Sequence, residues 1–103
     1  MINAEQARQK VEEYLRQKFS NRPYELVVMD SLTREEDFGW LFFFNTREFV
    51  ETGDMNAALG GNAPLLVERE TGELHVTGTT HPVEHYVESF RRKLSAASTA
   101  QRE

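Results

Sequence analysis

"DFGWLFFFNT", residues 37–46, decides how the rest of the chain is arranged. Phe38, Trp40, Phe42, Phe43 and Phe44 crowd into seven positions. On a strand, alternate residues share a face. Phe38, Trp40, Phe42 and Phe44 then form one aromatic row, and Gly39, Leu41, Phe43 and Asn45 form the other. A large side chain contributes about 1.5–3 kcal/mol when fully buried, so the aromatic row needs a covering layer. It reads as core in a central strand, with Asp37 and Arg47 as charged gatekeepers against aggregation.

The covering layer is found at the two ends of the chain. Ala4, Ala7, Val11, Tyr14, Leu15 and Phe19 recur at helical spacing over residues 3–19. Asn3 and Gln6 offer a capping box, and "SNRP" at 20–23 stops the helix. Near the other end, Pro82 suits a first helical position, and Val83, Tyr86, Val87, Phe90 and Leu94 continue as a stripe. The partner strands come from "YELVVMDSL" (24–32), "APLLVER" (63–69) and "ELHVTG" (73–78), the last two joined around "ETGE". "TREED" (33–37) reads as a charged turn. The stretch 47–62 is too long for a simple connection. Asn45 with Glu48 as a capping box, Gly53 as a stop, Asp54 as a cap and Gly60 as a second stop make it two short helical turns.

The expected fold is α+β: a two-layer sandwich with a four-stranded, mostly antiparallel sheet. The N- and C-terminal helices lie on one face, and the short helical excursion falls between strands 2 and 3. Residues 1–94 form one domain, and 95–103, lacking an apolar face, form a disordered tail.

Composition excludes several functions. Twelve basic against 17 acidic residues give a net charge of −5, which disfavours a nucleic-acid partner and suits a basic protein partner. No cysteine is present, so disulfides and thiolate chemistry are absent. The first residues lack a signal pattern and no apolar run approaches membrane-spanning length. A cytoplasmic protein without membrane partners is expected.

Chemistry is poorly represented. "HPVEH", His81 to His85, matches the H-x-x-E-H pattern of zinc peptidases. Pro82 puts His81 at the cap rather than in the helix, and no downstream element follows to bring a third ligand. His75, His81 and His85 offer adventitious metal binding at most. No serine has a nucleophile-elbow setting, and "LGGNAP" lacks the phosphate-cradling pattern. The expectation is no enzyme, no cofactor and no metal site.

Candidate partner contacts are the acidic turn Glu35-Glu36-Asp37 and the excursion, with Glu51, Asp54 and Asn62 at its tips. A third candidate is the outer sheet face, where Leu41 and Phe43 adjoin Glu68, Glu73, His75 and Thr77 and Phe43 and His75 are the contacts of choice.

"GWLFFF", "REFVETGD" and "GGNAPLLVERETGELHVTGTTHPVEHY" together resemble the immunity protein 35, or YrhB-like, family of bacterial polymorphic toxin systems. The resemblance spans residues 11–92. It is most specific at Gly61, Asn62, Ala63, Pro64, at Thr71, Gly72, Glu73, at Gly78, Thr79 and at Pro82, Glu84, Tyr86, with Glu51, Thr52, Gly53 and Asp54 before them. It implies a small α+β protein that neutralises a cognate toxin by binding it. It implies no catalytic residue. The YrhB branch adds an alternative, a chaperone-like holdase. The toxin, the interface and the oligomeric state are left open by the sequence.

Overall fold

A computed structural model describes residues 1–101, and the side chains of residues 1–94. Helix α1 (Ala4–Lys18) is followed by strand β1 (Leu26–Val28), a 3₁₀ turn (Asp30–Leu32), β2 (Arg34–Glu36), β3 (Gly39–Phe42) and β4 (Phe44–Thr46). Then come α2 (Arg47–Thr52), a second 3₁₀ turn (Met55–Ala57), β5 (Leu65–Glu68), β6 (Leu74–Val76) and α3 (Val83–Gln101). The tail at 95–103, expected to be disordered, lies outside the residues whose side chains are described.

The aromatic run is the spine of this arrangement. Its first part, β3, lies between β2 and β5 in an antiparallel sheet of order β2-β3-β5-β6. Its second part, β4, pairs with β1 in a two-stranded sheet. Only Phe43 separates the two parts, and its carbonyl accepts from Met29 N at 2.8 Å. Residues 29–33 stand opposite 42 and 43, so β1 and β2 are one strand interrupted by an extended bulge. "TREED" is therefore not a turn. Arg34, Glu35 and Glu36 form the edge strand β2, and only Asp37 and Phe38 turn the chain into β3.

Helix α1 forms where it was expected. Asn3 Oδ1 accepts from Gln6 N at 2.8 Å, and Gln6 Oε1 accepts from Asn3 N at 3.0 Å, which completes the capping box. Ala7, Val11 and Leu15 recur every four residues and are buried against Trp40, Phe42, Phe44, Leu65 and Val67. These sheet residues alternate with Leu41 and Leu66, which point to the opposite face. There they pack with Phe38 and with Val87 of α3. The two long helices thus cover opposite faces, and the expected two-layer sandwich with both helices on one face is corrected to three layers. The reason lies in the second row of the aromatic strand. Leu41 is fully buried, and so needs a cover as much as Trp40 does.

Phe38 also changes sides. It sits in the turn before β3, where strand alternation does not operate, and its ring packs 5.1 Å from that of Phe90. Gly39 makes the switch feasible. A Cβ there would lie 2.0 Å from the carbonyl oxygen of Val67, so β3 and β5 approach as they do only because this residue has none.

Candidate partner-binding surface

The acidic candidates Glu35, Glu36 and Asp37 are brought together at the β2 edge, but they are not free. Glu36 turns toward α3, where it accepts from Arg34 at 3.1 Å and from Arg91 at 3.0 Å. Its side chain is 16% exposed. Asp37 meets the same Arg91 at 3.3 Å, and Arg91 also pairs with Glu88 at 2.8 Å. Arg34 reaches Glu84 at the start of α3, and this hydrogen bond holds the Glu84 carboxyl below its usual range. Glu35 points to the other face and meets Arg69 at 3.1 Å. Arg69 lies over the Trp40 ring at 4.5 Å and donates to Glu36 O at 2.8 Å, clamping the β2–β3 turn. Five carboxylates face three guanidiniums here, so the edge keeps a negative balance. A charged edge strand also resists pairing with another chain.

The excursion forms as two short helical turns, α2 and the second 3₁₀ turn. Its cap is Thr46 rather than Asn45. Thr46 Oγ1 accepts from Phe49 N at 3.1 Å and donates to Ala57 O at 2.8 Å. Asn45, buried, instead accepts from Leu59 N at 2.7 Å and from Thr46 N at 2.8 Å, tying the far end of the excursion to β4. The sequence points to Asn45 as the cap and does not single out Thr46. The available signal was a pair of short polar residues ending an apolar strand immediately before a helix. Gly53 stops α2 in the left-handed conformation, φ +75°, as expected, but Gly60 is not a second stop: the 3₁₀ turn ends at Ala57 with Ala58 at φ −71° as its cap, and the left-handed glycine farther on is Gly61 (φ +71°).

Of the excursion candidates, Glu51 is exposed and only loosely paired with Arg47, at 3.5 Å. Arg47 bonds Glu25 more closely, at 2.7 Å, and holds the Glu25 carboxyl below its usual range. Asp54 caps the 3₁₀ turn through Asn56 N at 3.0 Å. Asn62 donates to Phe44 O and is a strut. α2 packs on β4 and β1, so Glu51 and Asp54 belong to a different part of the molecule from the β2 edge.

The third candidate is corrected. The face carrying Phe43 and His75 is covered by α3: Phe43 packs on the Leu41–Leu66–Val87 cluster, and the His75 ring lies 4.9 Å from that of Phe90. His81 and His85 stack on each other 4.1 Å apart, while Glu84 of the same motif is bound to Arg34. The H-x-x-E-H residues therefore do not converge.

A groove of about 540 Å³ runs between the end of α1 and the loops around β5 and β6. Gly60–Ala63 line one wall and Thr77–Thr79 the other, with Tyr14, Phe19 and Tyr24 at the α1 side. Gly78 packs so closely on Tyr86 that a Cβ would lie 2.5 Å from its hydroxyl. Much of the motif that carries the resemblance is thus gathered in two loops and one glycine–tyrosine contact.

The model of the family described as "Immunity protein 35" matches residues 5–90. The uncharacterized protein YrhB of Escherichia coli (strain K12) is 42% identical over 69 residues, covering 67% of this chain and 73% of the relative. No solved structure matches. With the family model spanning α1 through the apolar stripe of α3, the chain belongs to the immunity protein 35 family.

Proposed function

We propose that this chain is an immunity protein: it binds a cognate bacterial toxin domain in the cytoplasm and neutralises it without chemistry of its own. The observation that carries the reading is the family match over residues 5–90. The net charge of −5 supports a basic toxin surface, reached with electrostatic steering. We place the contacts on the β2 edge, through Glu35 and Asp37, and on the excursion, through Glu51 and Asp54. Glu36 and Asn62 serve these segments from within, as ion-pair centre and strut. Phe43 and His75 fall outside the proposed interface because α3 packs on their face.

The test is protection of cells producing the toxin domain encoded beside this chain, together with association rates at two salt concentrations. The wild-type protein is expected to protect. Glu35→Lys, Asp37→Lys and Glu51→Lys combined are expected to slow association by about tenfold at low salt, with less effect at high salt. Unchanged association would move the interface away from both acidic segments. Suppression of client aggregation without any protection would contradict immunity and favour a holdase.

A further inference from the structure

The β5–β6 hairpin brings together three side chains that the proposed interface does not use. Glu68 N donates to Glu73 O at 2.9 Å, so the two glutamates are cross-strand neighbours, and His75 follows two residues along β6. Cross-strand neighbours and alternate residues share a face. One carboxylate oxygen of each glutamate and one imidazole nitrogen accordingly lie within 4.8 Å of one another. His75 Nε2 is 3.6 Å from Glu68 Oε2 and 3.8 Å from Glu73 Oε2, both beyond hydrogen-bond length. That nitrogen is shut off from solvent and has no hydrogen-bond partner among the described residues.

Each feature is unfavourable alone. A buried polar atom without a partner is destabilising, because it has given up its bonds to water. Two carboxylates at this separation repel, and Glu68 is only 9% exposed, so water screens its charge poorly. Lys93 of α3 lines the recess beside His75 but pairs with neither carboxylate among the described residues. One divalent cation would answer all of this. Ligand atoms held about 2.0–2.1 Å from a tetrahedral zinc stand about 3.4 Å apart, close to the spacing here.

The supporting contacts are those of a positioned ligand set. Thr71 Oγ1 donates to Glu68 Oε2 at 2.7 Å and orients that carboxylate, while Phe90 packs on the imidazole. Glu73, 70% exposed, leaves a way in from solvent. We propose that Glu68, Glu73 and His75 form a divalent transition-metal site that clips β5 to β6. Imidazole with carboxylates is zinc-type ligand chemistry, and water would complete the coordination. The arrangement that competes with it is the same three side chains with no metal between them.

Untagged protein, stripped with chelator, is titrated calorimetrically with zinc chloride, and cobalt(II) is used as a spectroscopic probe. The site predicts one equivalent of saturable zinc, a raised thermal midpoint and the visible absorption of low-coordinate cobalt. Glu73→Gln, at an exposed position that spares the fold, should weaken zinc binding by about tenfold or more, the scale on which even outer partners of a ligand act. His75→Ala should remove it, and His81→Ala with His85→Ala should leave it intact. No saturable zinc binding would overturn the proposal in favour of the metal-free cluster. Binding that survives both Glu73→Gln and His75→Ala, or that is lost with His81 and His85, would overturn it as well.

Discussion

At Gly39 the molecule depends on a missing atom. With Val67 O only 2.0 Å from where a Cβ would stand, Gly39→Ala must push β3 away from β5. Overpacking of this kind costs about 1–3 kcal/mol, and a backbone obstacle puts this site at the upper end or beyond. Gly60→Ala is the matched control, since nothing lies within 4 Å of its Cβ position and its φ is not positive. Chemical denaturation should show the first variant strongly destabilised and the second within about 1 kcal/mol of the parent. Trp40 is the opposite case, a side chain whose removal leaves a hole. It is 3% exposed, with Arg69 over its ring, so Trp40→Ala should cost about 3–5 kcal/mol. Parent Trp fluorescence should resist quenching by acrylamide. A readily quenched Trp and a near-normal melting temperature for the variant would place Trp40 on the surface.

Among the elements, α3 has the least secure docking. It is held by the Phe38–Leu41–Leu66–Val87 cluster and by the ionic clasp from β2. Apolar burial dominates that pair of effects. Val87→Ala should cost about 2 kcal/mol, whereas solvent screens exposed ion pairs and leaves them little share in stability. The clasp shows instead in the acid response. Glu84, Glu25 and Asp30 each have a carboxyl lowered by a hydrogen bond to an arginine, Arg34, Arg47 and Arg8 respectively. A group with a lowered folded pKa stabilises the fold above its unfolded value, near 4, and loses that contribution as pH falls through the folded value. Thermal midpoints should therefore be flat above about pH 5 and fall below about pH 4, and Arg34→Gln should soften the fall. A midpoint that rises on acidification would contradict these pairings.

The elements that could be read from sequence are those with local causes. The Asn3–Gln6 box, the Gly53 stop, the Asp54 cap and the "ETGE" turn are each settled within a few residues. β2 was misread because Arg-Glu-Glu has little strand propensity, and it is a strand only through pairing with Leu41, Trp40 and Gly39. The side taken by α3 was equally hidden, since a helical stripe shows which face it buries but not which face of the sheet receives it. Alternation places Glu68, Glu73 and His75 on one face, but their close approach needs the hairpin register, which alternation alone does not supply.

For the whole molecule, the central claim concerns binding. Its arginines at 8, 34, 47, 69 and 91 are each paired with acids, so the acid excess is spread over ion-paired clusters that stay net negative rather than gathered in one bare patch. On the proposed function, steering of a basic partner would draw on the net charge, and specificity would rest with exposed groups such as Glu35, Asp37 and Glu51. The most direct measurement is to mix the purified chain with a candidate toxin domain taken from a neighbouring coding sequence and follow complex formation and toxin activity in one titration. The account predicts a stable complex whose formation abolishes activity in step with occupancy. A toxin that stays fully active, or that forms no complex at saturating protein, would contradict it.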